Sequence, residues 1–150
     1  MMATSVKIVD SERILTEFKS KCKHVTDDMF LELVAGAQDV RNLILSRVAN
    51  TKRAPWSYSR QKGKKRHYPS LPYNYPASDT GEFASSIVAD IDIKRLMVEV
   101  GSKARAPYAS LLEEGTTKMK KRPWLEPTVD DLWPNIKKNV FNIAKKHGDG

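Results

Sequence analysis

The sequence predicts an α+β domain. A long N-terminal helix packs on a small antiparallel sheet, with a short helix, a C-terminal helix and a long extended basic loop or arm. Three patterns carry this expectation. Apolar residues recur at steps of three and four from Phe30 to Val48. They alternate at steps of two from Ile87 to Val100. Between these tracts, residues 51–80 hold neither period. A chain of 150 residues is long enough to bury one core without staples, so residues 1–150 are read as a single domain.

In chain order, Ser11 to Lys23 reads as a short amphipathic helix with Ile14, Leu15, Phe18 and Cys22 on one side. Thr26 is a natural N-cap for a second helix, and Asp27 and Asp28 suit the positive end of its dipole. That helix places Phe30, Leu33, Ala37, Val40, Ile44 and Val48 on one face and runs to about Asn50, with Val34, Leu43 and Leu45 widening the stripe. Residues 51–78 then form the protruding arm or loose hairpin. They carry Pro55, Pro69, Pro72 and Pro76, five aromatics, and too few aliphatic residues for a core of their own. Ile87 to Ile93 and Leu96 to Val100 make a hairpin turning near Lys94, and the long helix is the available cover for its apolar face. Pro107 opens a short helix carrying Tyr108, Leu111 and Leu112, which Gly115 ends. Pro127 opens the last helical pattern, from Val129 to Ile143, with a kink or a fresh start at Pro134, and the tail HGDG frays.

Composition bounds the function. No apolar run approaches the roughly 20 residues of a membrane-spanning helix, so no membrane partner is expected. The first residues lack the apolar centre of a secretory signal, which points to use in the cytosol or in a particle assembled there. Cys22 is the only cysteine, and His24, His67 and His147 are scattered, so neither a disulfide nor a cysteine/histidine zinc site is expected. The net charge of +8 is localised. From Thr51 to Ser70 there are seven basic residues and no acid, leaving +1 for the other 130. Such a segment favours a negatively charged partner, nucleic acid or an acidic protein face.

Catalysis has no pattern to stand on. Glu113 and Glu114 are adjacent and on a helix point about 100° apart, unable to flank one bond. There is no nucleophile elbow, phosphate-binding glycine loop or dinucleotide fingerprint, and no cofactor is expected. Nor does any helix carry basic side chains along one face, as a DNA-reading helix would. The chain is expected not to be an enzyme.

Five short runs, in order, carry a resemblance. They are Asp79-Thr80-Gly81-Glu82-Phe83-Ala84-Ser85-Ser86-Ile87, Val98-Glu99-Val100-Gly101-Ser102, Pro107-Tyr108-Ala109, Glu113-Glu114-Gly115-Thr116 and Arg122-Pro123-Trp124-Leu125-Glu126-Pro127. Their order and spacing resemble the tail-completion, or neck, proteins that join head to tail in tailed bacteriophages, over about a third of the chain. Two departures stand out. The position before Gly115, usually aromatic in that family, is Glu114, and the segment ahead of the first run is unusually long and basic. The resemblance implies a structural virion protein assembled in the host cytoplasm. It would be a homo-oligomeric ring, a hexamer or dodecamer, between the portal-side connector and the tail, with double-stranded DNA passing through its centre.

Two sets of contact residues follow. Arg53, Trp56, Arg60, Lys62, Lys64, Lys65 and Arg66 form the arm. It either meets DNA phosphates without sequence preference, docks on an acidic face of the next ring, or is a solvated loop. Docking is preferred, because a channel that lets DNA slide gains little from tight phosphate contacts. The alternative to the neck reading is a stand-alone, sequence-independent nucleic-acid-binding protein acting through residues 52–68. Glu113, Lys118, Lys120, Lys121, Arg122 and Trp124 form the inter-subunit set, with Arg122 pairing an acid such as Glu113 in the same or a neighbouring subunit. Against this stands a plainer reading, with Trp124 in the core and the lysines on a solvated loop.

Overall fold

The computed structural model describes residues 11–58, 62, 63, 66–78, 80–103 and 108–148, with side chains from Ser20 onward except that of residue 21. The order is α1 (Ser11–Asn50), α2 (Glu82–Ser86), β1 (Ile87–Asp92), β2 (Met97–Ser102), α3 (Ala109–Glu114) and α4 (Glu126–Gly148). The α+β class holds, with α1 lying against both the two-stranded sheet and α4.

The first difference from expectation is that α1 is one helix of 40 residues, not two. No glycine or proline interrupts residues 11–35, so nothing forces a break. Thr26 is not an N-cap, since its hydroxyl donates to the Cys22 carbonyl one turn back at 2.7 Å. Cys22 is exposed, off the apolar face assigned to it. The side chains of Ile14, Leu15 and Phe18 lie outside the described residues. From Phe30 on, the predicted stripe is the buried one: Ala37, Val40, Ile44 and Val48 face inward.

The core gathers Val40, Ile44 and Val48 of α1 with Phe83, Ile87, Ala109 and Trp124. The β1–β2 hairpin joins it by its base only. Ile87 pairs with Ser102 and is fully buried, whereas Ile93 at the tip is 74% exposed. The alternating apolar face therefore leaves α1 before the turn, and the expected cover is partial. Asp92 shapes that turn by accepting the Arg95 amide at 3.0 Å. Where α1 crosses α4, Gly36 is buried. A Cβ there would come within 2.8 Å of the Ile136 side chain, so only glycine lets the helices approach this closely. Arg47 of α1 donates to Asp131 and to the Tyr75 hydroxyl, both at 2.5 Å, and Tyr75 in turn bonds Thr128 of α4 at 2.9 Å. The guanidinium pKa is raised, chiefly by the Asp131 hydrogen bond and against opposing desolvation.

Helix α4 runs unbroken past Pro134, so the fresh start at that residue does not occur. His147 and Gly148 belong to α4 rather than to a frayed tail, and His147 bonds Asp28 of α1 at 2.9 Å. None of the helices among the described residues is long and apolar enough to cross a membrane.

Candidate functional site

The basic tract is a loose hairpin. Arg53 bridges Ser70 and Tyr58 bridges His67 in antiparallel sense, with Gly63 (φ 86°) in the turn. The Tyr58 and His67 amides and carbonyls exchange hydrogen bonds of 3.0 and 2.8 Å, and Ala54 donates to the Pro69 carbonyl at 2.7 Å. Pro55 and Pro69 lack amide donors, which keeps this ladder from becoming regular strands. The hairpin ends at Ser70. Residues 71–78 return along the body, where Tyr75 and Pro76 are at least partly buried, so the protruding part is shorter than 51–78. Of the arm residues, Arg53, Lys62 and Arg66 are exposed, and Trp56 is 50% exposed. Arg53 also donates to the Ser78 carbonyl at 3.0 Å. Arg60, Lys64 and Lys65 lie outside the described residues, as do Asp79 and Pro107.

The second set divides. Gly115 ends α3 with φ 79°, and its α-carbon lies so close to the following loop that a Cβ would sit 2.9 Å from the Lys121 amide nitrogen. Thr116 then closes a tight turn, its amide donating to the Met119 carbonyl at 2.7 Å. The chain turns back on itself, and the Arg122 amide reaches the Leu112 carbonyl at 2.6 Å. Lys118, Lys120 and Lys121 are exposed, as expected.

Glu113 and Trp124 are not free for a neighbour, which corrects their assignment as inter-subunit contacts. One Glu113 oxygen accepts the amides of Trp124 and Leu125 at 2.7 and 3.0 Å, and the other accepts that of Glu126 at 2.8 Å. The carboxylate holds the start of α4, where unpaired amides and the helix dipole favour negative charge. Arg122 therefore does not pair with it. Its Nε donates instead to the Ser70 carbonyl at 3.1 Å. Trp124 is 3% exposed, meets Phe83 edge-on at 5.3 Å, and donates its indole N–H to the Ala109 carbonyl at 3.0 Å. It is a core residue.

Two basic segments far apart in sequence thus share one edge. Arg122 holds Ser70 at the hairpin base, the Tyr73 amide donates to the Lys121 carbonyl at 2.9 Å, and Lys120 lies 5.8 Å over the Tyr73 ring. Sequence reading kept the arm and the strip separate. Tyr73 and Lys120 are 47 residues apart, so no local pattern pairs them. Between hairpin and body this edge opens a cleft of about 410 Å³, with Tyr58 and Pro69 on the hairpin side and Phe83, Leu111 and Met119 on the body side.

Among the described residues, no three His, Cys, Asp or Glu side chains lie close enough to hold a metal ion. What the site offers is positive charge, exposed aromatic rings and an apolar recess, the equipment of a contact surface. No family model, curated protein or solved structure matches the chain.

Proposed function

We propose that the protein is a structural component of a phage head–tail connector, forming a ring that joins the portal-side connector to the tail around the DNA channel. One observation carries this reading: the five runs that resemble neck proteins converge in three dimensions on a single packing unit. Phe83 of the first run touches Tyr108 of the third and Trp124 of the fifth. Ser86 of the first run hydrogen-bonds Ser102 of the second at 2.7 Å. Glu113 of the fourth caps the helix that the fifth begins. Glu114, the departure from the pattern, is exposed and disturbs none of these contacts.

The surface suits a subunit that assembles. Ile93 on the hairpin tip and Phe141 on α4, the latter 70% exposed, are large apolar side chains left in water. The basic arm docks on an acidic face of an adjacent ring. Changing Lys64, Lys65 and Arg66 to Ala is expected to leave the isolated protein folded by circular dichroism and to abolish head–tail joining. Joined, infectious particles at normal yield would remove the arm from assembly.

The seven basic residues without an acid favour the second reading, a stand-alone nucleic-acid binder. Under it, generic duplex DNA binds strongly at low salt, affinity falls steeply as salt rises, and the same triple change abolishes binding.

A further inference from the structure

The cleft beneath the basic hairpin borders the packing unit, and its composition is specific. Its body side is apolar, with Leu111 exposed and Phe83, Leu112 and Met119 beside it. Ser70, 1% exposed, lines it too, and its hydroxyl has no hydrogen-bond partner among the described residues. Buried hydroxyls are normally paired, so this one is a group awaiting a donor or acceptor. Arg122 lines the same cleft. Its guanidinium is committed to two backbone carbonyls, those of Ser70 and Lys120, and to no acid among the described residues. Among the described residues, the one carboxylate in the lining is the exposed Glu82, outnumbered by Arg122 and by the lysines of the adjoining loop.

We infer that this cleft is a docking site for an extended peptide segment of another protein, carrying a bulky apolar side chain next to an Asp or Glu. The apolar side chain fills the recess over Leu111, the carboxylate meets Arg122, and the peptide backbone supplies the missing partner for Ser70. Duplex DNA suits the cleft poorly, because an apolar recess has nothing to offer a phosphate backbone. The size fits a short segment rather than a domain, since pockets of this order hold a few side chains. The inference stands apart from the neck reading: peptide binding tests the cleft, and presence in particles tests the neck.

The test is selection of a yeast-displayed random heptapeptide library on the full chain, with enriched peptides then titrated by fluorescence anisotropy. Enriched peptides are expected to place an acid within two positions of Phe, Leu or Trp. Their affinity is expected to fall at least tenfold in Leu111→Glu and in Arg122→Gln. Leu111 is exposed, so its variant keeps the fold and stays informative even if loss of Arg122 loosens the hairpin base. The inference is overturned if no peptide is enriched, if the enriched peptides lack acids, or if Leu111→Glu binds them unchanged. Duplex DNA binding that is lost in Leu111→Glu, with no peptide selected, would reassign the cleft to nucleic acid and equally overturn it.

Discussion

Glu113 shows how a single side chain decides the geometry of this domain. Leu125 precedes α4 and has no side-chain acceptor, so the first amides of the helix need one from elsewhere. The carboxylate of Glu113 takes three amides, Pro127 has none to satisfy, and Thr128 donates to the Leu125 carbonyl at 3.1 Å, which completes the turn. Glu113→Ala orphans all three and is expected to cost about 2–3 kcal/mol of unfolding free energy in urea titration, with Glu113→Gln costing less. A loss below about 0.5 kcal/mol would mean that water replaces the carboxylate freely. This role was only half legible in the sequence. Opposite charges suggested Arg122 as the partner, whereas the positive group was the end of a helix, which no side chain announces. The missing cap at Leu125 was the usable clue. Trp124 was equally ambiguous, because a proline-framed tryptophan reads alike as an anchor or as core until Phe83 and the Ala109 carbonyl are found around it.

At the scale of elements, periodicity told most of the story. The stripe from Phe30 to Val48, the hairpin and the helix ended by Gly115 all occupy their expected places. Failures came where local chemistry allowed two outcomes. Thr26 could cap a new helix or bond back to the preceding turn, and with no glycine or proline nearby to break the helix it does the latter. Gly36 was invisible because its importance lies in what it lacks, and its neighbour Ile136 belongs to another helix. Alanine there raises intrinsic helix propensity by up to about 1 kcal/mol, yet drives a methyl into Ile136. Gly36→Ala is therefore expected to be destabilising by about 1–2 kcal/mol net, since overpacking outweighs propensity. In Ile136→Ala the same change should become neutral or stabilising. A double-mutant cycle by thermal and chemical unfolding checks this, and additivity within about 0.5 kcal/mol would show that the helices simply move apart.

For the whole molecule, a nearly neutral body carries one strongly basic edge. The sequence located most of that charge, but not that the strip at residues 118–122 would fold back to meet the hairpin base. That meeting rests on the Arg122 side chain reaching a carbonyl 52 residues away and on one backbone hydrogen bond from Tyr73 to Lys121, neither of which a local pattern of side chains announces. The runs that resemble neck proteins contain the buried residues Phe83, Ser86, Ile87, Ala109 and Trp124, and through these the resemblance bears on the scaffold. Under the proposed reading, partners are met by the exposed edge, where this chain departs most from that pattern. The most direct test is to label the protein with antibody in purified tailed particles and locate it by electron microscopy. Label confined to the vertex between head and tail is the expected result. Purified particles that lack the protein, or carry it elsewhere, would contradict the assignment.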